Sequence, residues 1–185
     1  MSLWELLGLK RKPAEDAAGD RAETRTVREI IQTLDALPAE EARFVASFAY
    51  LLSRVAHADL DISSRETDEM ERIVVQVGGL SEAQAAVVVQ MAKTHTRLFG
   101  GTEDFLVARE FGKLARPDQK RALLRCLFAV SAADETISSV EDNAIKQIAD
   151  ELRIDRDEVN AMRSEFKDFL ASLRPSSPGR EGSGR

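Results

Sequence analysis

The sequence predicts an all-α fold: an internally duplicated bundle of about seven to eight helices. Three observations carry that prediction. Apolar residues recur at helical spacing in segment after segment, with no alternating run of useful strand length between them. Pro, Gly-Gly and Ser-x-x-Glu signals punctuate those segments at helix-like lengths. One stretch also occurs twice: Val55-Ala-His-Ala-Asp-Leu-Asp-Ile-Ser-Ser-Arg-Glu66 returns as Val130-Ser-Ala-Ala-Asp-Glu-Thr-Ile-Ser-Ser-Val-Glu141, each residue 75 after its counterpart.

Composition sets the frame. At 185 residues the chain is long enough to close one sizeable core, and 43% hydrophobic with 31% charged residues describes an ordinary soluble globular protein. A net charge of −6 argues against nucleic-acid binding, which wants a basic face. Cys126 is the one cysteine and sits in an apolar run, so it reads as a buried, inert thiol compatible with a reducing compartment. No window approaches the roughly 18–20 apolar residues of a membrane span. The run Leu3–Leu9 is too short for a secretory segment, so the expected location is cytoplasmic.

The elements follow in order. Residues 1–20 read as a short amphipathic segment and a linker. In 2–12, Leu3, Trp4, Leu6, Leu7 and Leu9 precede Lys10, Arg11 and Lys12. This segment either docks on the core or a partner, or makes weak peripheral contact with an anionic membrane; about two turns and three cations favour the first. The domain proper is expected over 21–172, with repeats at about 39–98 and 117–172 and a disordered tail over 173–185.

A first helix is expected near 21–36, with Val27, Ile30, Ile31 and Leu34 in one stripe. Pro38 then opens a helix over about 39–57 that buries Phe44, Val45, Phe48, Leu51, Leu52 and Val55. After the first acidic turn, Ser63-x-x-Glu66 caps a helix to about residue 77, which Gly78-Gly79 stop. Ser81-x-x-Gln84 caps the next, through about 98. Beyond Gly100-Gly101, Thr102 is the expected cap of a helix over 103–115, with Phe105, Ala108 and Phe111 inward. Pro117 opens the most apolar helix, over about 117–132, taken as central. Ser138-x-x-Glu141 caps its successor, and Asp155-x-x-Glu158 starts a last helix ending near Ser172.

Each acidic turn sets an Asp at the end of one helix and a Glu seven residues later in the first turn of the next. The isoleucine between them, Ile62 or Ile137, reads as a plug pinning the loop to the core. Crowded carboxylates repel unless neutralised, and a hard cation with oxygen ligands, Ca²⁺ or Mg²⁺, is the natural partner of Asp59, Asp61, Glu66, Asp134 and Glu141. If the repeats pack about a two-fold axis, the two turns could share one ion. Glu66 and Glu141 are equally explained as capping-box residues, and Asp59 and Asp134 as Asx turns, with no cofactor at all; spacing leaves both readings open. The turn is not an EF-hand, because the sixth-place glycine is missing and Met70 stands twelfth. His57 has Ala132 as its counterpart, so the repeated feature does not need it, and His95 reads as a helix-end histidine. No nucleophile or phosphate-cradling motif is present.

With both turns in view, the chain resembles the TerB-like family of helical tellurite-resistance and stress-response domains, related to a domain of membrane-anchored J-domain co-chaperones. The matching residues are Ala58-Asp59-Leu-Asp-Ile62…Glu66 and Ala133-Asp134-Glu-Thr-Ile137…Glu141, and the resemblance covers about 40–170. It implies a non-enzymatic module of metal-oxyanion or envelope stress, associating with protein partners at the inner face of the membrane, with divalent-metal candidates Asp59, Glu66, Asp134 and Glu141. The family's glycine after each Asp is Leu60 and Glu135 here, which costs about 1 kcal/mol or more wherever that position needs positive φ. The alternative is a protein–protein adaptor or co-chaperone-type scaffold whose acidic turns are only helix caps. The sequence leaves the oligomeric state open.

Overall fold

The computed structural model describes residues 28–56, 64–95, 104–133 and 136–170. The amphipathic segment 2–12, the linker, the start of the first helix and the tail beyond 170 lie outside these residues. Helices account for nearly all the described chain: α1 over 28–35, α2 Ala39–Val55, α3 Ser64–Gln76, α4 Glu82–His95, α5 Asp104–Leu114, α6 Pro117–Ala132, α7 Ser139–Glu151 and α8 Arg156–Glu165. A 3₁₀ turn, Lys167–Phe169, follows. The described residues contain no strand, only an isolated parallel bridge between Ile137 and Leu170. None of their helices is long and apolar enough to cross a membrane.

Local chemistry explains most helix ends. Ser81 and Gln84 form the expected capping box: the Ser81 N–H donates to Gln84 Oε1 at 3.0 Å and the Gln84 N–H to Ser81 Oγ at 3.3 Å. Pro117 begins α6 where its missing N–H costs nothing, and Gln119 Oε1 accepts the Arg116 N–H at 2.9 Å. Pro38 stands one place earlier than expected, as the extended residue preceding α2 (φ −53°, ψ 143°). Glu40 and Glu41 in the first turn of α2 favour its positive end. α3 stops as expected: Gly79 takes φ +73°, and a Cβ on Gly78 would lie 2.5 Å from the Val74 carbonyl oxygen.

The repeat is visible in the packing. α2 of the first unit lies against α7 of the second, α3 against α6, and α2 meets α6 between them. That reciprocity is what a two-fold arrangement of duplicated helix pairs requires. α4 covers α2 and α3, while α5 crosses α2 and touches α7. Phe48, Leu51, Leu52, Leu123, Leu124, Leu127, Phe128, Ile145 and Ile148 are fully buried, and each such side chain stabilises the fold by about 2 kcal/mol. Phe111 of α5 stacks on Phe44 at 5.3 Å and meets Phe48 edge-on at 6.2 Å, tying α5 to α2. Cys126 is fully buried, and burial pushes its thiol up to about 12, as an inert core cysteine requires.

Two expectations are corrected. Phe105 is 54% exposed: Val107, Ala108 and Phe111 define the inward stripe of α5, and Phe105 lies about a third of a turn from its centre. The last helix ends at Glu165 rather than near Ser172, because the chain tightens into the 3₁₀ turn and delivers Leu170 into the core beside Ile137. Asp155 does cap α8, but it accepts the Asp157 N–H at 2.9 Å, while Glu158 turns outward to pair with Arg121.

Candidate functional site: the two acidic turns

The second turn is the better described. α6 runs to Ala132, and the Ala133 N–H closes on the Val130 carbonyl at 3.1 Å. Asp134 and Glu135 lie outside the described residues. Ile137 is 1% exposed, as a plug should be, and its N–H donates to the Phe169 carbonyl at 2.6 Å. Ser138 is extended (φ −69°, ψ 162°) and forms the expected box: its N–H donates to Glu141 Oε2 at 2.7 Å, and the Glu141 N–H donates to Ser138 Oγ at 3.2 Å. The Glu141 carboxylate is therefore oriented, half-buried, in the first turn of α7.

The first turn is described only at its flanks. α2 ends at Val55 with the Ala56 N–H on the Leu52 carbonyl, and α3 begins at Ser64. Glu66 is exposed in the first turn of α3. Asp59, Asp61, Ile62, His57 and the expected cap Ser63 lie outside the described residues, as does the side chain of His95. Of the five candidate ligands, then, Glu66 and Glu141 have described positions. Among the described residues no group of three or more His, Cys, Asp or Glu side chains is placed to hold a metal.

Three polar clusters lie beside the turns. Asp142, next to Glu141, is 4% exposed. It accepts Arg163 Nε at 2.8 Å, Arg163 Nη2 at 2.9 Å and Lys146 Nζ at 2.8 Å. Burial alone would push its carboxyl up, but the hydrogen bonds from Arg163 and Lys146 outweigh this and hold it below the usual carboxylate range. Its counterpart 75 residues earlier is Thr67, also buried, whose hydroxyl accepts Lys93 Nζ at 2.8 Å. In each unit, the residue after the capping-box Glu position is thus clamped by a cation from the unit's third helix. The only sequence trace is the alignment of Thr67 with Asp142.

The third cluster joins the two units. Arg54, in the last turn of α2, bonds Glu151 through Nη1 at 2.6 Å and Nη2 at 3.2 Å, and its Nε lies 3.5 Å from Asp104 Oδ2. Tyr50 Oη donates to Asp104 Oδ1 at 2.6 Å, and Gln147 Nε2 to Glu151 Oε1 at 3.1 Å. Arg54 and Glu151 side chains are 9% and 11% exposed. Glu151 ends α7, whereas Glu141 stands ten residues earlier, about 15 Å back along the axis. The chain leading into the first turn is thereby tied to the end of α7 remote from the second turn. Ser131, three residues before Asp134, is 2% exposed, and its hydroxyl has no partner among the described residues.

Chemically, what the second turn offers among the described residues is a hard oxygen donor, Glu141, on a fixed backbone. Asp142 is not a further donor, since Arg163 and Lys146 already neutralise it. A carboxylate oxygen is a donor to Ca²⁺, Mg²⁺ and Zn²⁺ alike. Residues 44–164 match the sequence model of a family described as Tellurite resistance protein TerB. No curated protein and no solved structure matches the chain.

Proposed function

Because the chain belongs to the TerB family, we propose that it is a non-catalytic stress-response module, of the metal-oxyanion or envelope kind, whose acidic turns bind a divalent cation. Asp134 and Glu141 would hold it at the second turn, and Asp59, Asp61 and Glu66 at the first. The bound Ca²⁺ or Mg²⁺ supplies charge neutralisation and loop order rather than bond chemistry.

The observation that carries this reading is the fixed Glu141 carboxylate. It is aimed by the cap, and the cap uses one of the roughly four lone-pair positions a carboxylate presents. The tether from Arg54 to the far end of α7 favours one ion per turn over a single shared ion. With only two or three carboxylates per turn, affinities of about 0.1–1 mM are expected. Protein partners belong to the proposal, with residues 2–12 as their contact; weak association of that segment with an anionic membrane is the variant.

The same cap supports a second reading. If Glu141 serves only Ser138, the turns are structural and the protein is an adaptor. Calorimetric titration with CaCl₂ and MgCl₂ separates the two. The first reading predicts binding that Asp134→Asn and Asp59→Asn each reduce by one site. Absence of binding up to about 10 mM leaves the adaptor. Pull-downs with residues 1–12 present and deleted test the partner contact.

A further inference from the structure

The third helices of the two units end differently. Residues 92–95, the counterparts of 167–170, continue α4 as helix. In the second unit the helix has already ended. The chain runs from α8 through Phe166 (φ −109°, ψ 18°) into the 3₁₀ turn and crosses the second acidic turn. There the Phe169 carbonyl accepts the Ile137 N–H at 2.6 Å, and Leu170 pairs with Ile137 in a parallel bridge.

We propose that Lys167–Leu170 is a strap that fixes Ile137 and the Ser138–Glu141 cap beside it and, through Glu141, sets the affinity of the second turn for a divalent cation. The second half of this statement rests on the cation reading given above; the first half does not. Three features suit a segment that docks and undocks while the bundle stays folded. Its hold is slight: Lys167, Asp168 and Phe169 are exposed, and Leu170 is its one buried side chain. Such segments open locally at a small fraction of the cost of global unfolding.

Next, α8 is secured without the strap. Arg163 grips Asp142, Arg121 pairs with Glu158, Arg125 lies 3.5 Å from Glu165, and Phe166 stacks on Phe128 at 5.6 Å. Undocking therefore needs backbone rotation only beyond Phe166. Finally, what the strap grips is the plug. Ile137 lies one residue before the cap Ser138, so its release loosens the cap that aims Glu141. By linkage, a cation that orders the turn also favours the docked strap.

Amide hydrogen exchange on the full chain, with and without CaCl₂, tests this through Leu170→Ser and the milder Leu170→Ala, which covers the case in which the serine variant does not fold. The expected result is exchange at Ile137 and Glu141 faster by about tenfold or more, with α4 and the α8 amides up to Arg163 unchanged. Calcium affinity at the second turn should fall about five- to tenfold, with the first turn unaffected. Unchanged exchange at Ile137 in both variants overturns the strap. So does a uniform rise across α8, which marks general destabilisation, and so does faster exchange with unchanged second-turn affinity. If calcium moves neither turn of the unaltered protein, the cation reading falls, and exchange at Ile137 alone decides whether the strap fixes the cap.

Discussion

Arg153 holds φ 56° just past the end of α7. Its N–H bonds the Asp150 carbonyl and the Ile154 N–H bonds the Ala149 carbonyl, the nested pair of a Schellman end, in which glycine is the usual occupant. Arg153→Gly is expected to raise stability by about 1 kcal/mol, read as a higher urea midpoint at unchanged slope. Asp142 makes the opposite kind of prediction. Its folded-state carboxyl is held down by Arg163 and Lys146, so its contribution is full above the unfolded value of about 3.9 and is lost as pH falls through the depressed folded value. Asp142→Asn should cost about 2 kcal/mol at pH 7, with the gap to the unaltered protein closing below about pH 4 in urea denaturation. Neither residue was legible in the sequence. Positive φ at an arginine has no composition signal, and an Asp in the first turn of a helix reads as a solvated dipole partner. Its burial depends on α8 folding back across 21 residues.

Helix ends with reciprocal side-chain logic were legible, because the partners stand three residues apart and need nothing from the rest of the fold. Ser81-x-x-Gln84 and Ser138-x-x-Glu141 both formed as expected. Asp155-x-x-Glu158 did not close as a box, since Arg121 of α6 takes Glu158 instead. The exposure of Phe105 and the early stop of α8 were also hidden, because each is decided by what the neighbouring helices leave room for. At this scale Ser138→Ala should cost about 1 kcal/mol, localised to the first turn of α7 by amide exchange. Glu141→Gln keeps an acceptor for the Ser138 N–H and should cost less than Ser138→Ala, while removing a charge from the candidate cation site.

Across the whole molecule, the 75-residue offset made the duplication readable, and the reciprocal packing of α2 on α7 and α3 on α6 follows from it. The Arg54 cluster was not readable, because its members stand 97 and 54 residues apart and only the assembled bundle brings them together. Removing Arg54 leaves Glu151 and Asp104 without their cation at a largely buried junction. Arg54→Met should therefore destabilise the protein by about 3 kcal/mol or more, and adding Glu151→Gln should recover part of that loss. Thermal denaturation of the two variants checks it.

Cation binding at the turns is tested by a residue-resolved NMR titration of the full chain with CaCl₂ and, separately, MgCl₂. A cation held at each turn would give saturable shifts confined to the loops that carry Asp59 and Asp134 and to Glu66 and Glu141, with the α4 and α5 amides still. Spectra that stay unchanged, or that drift uniformly with ionic strength, would contradict it and leave the acidic turns as helix caps.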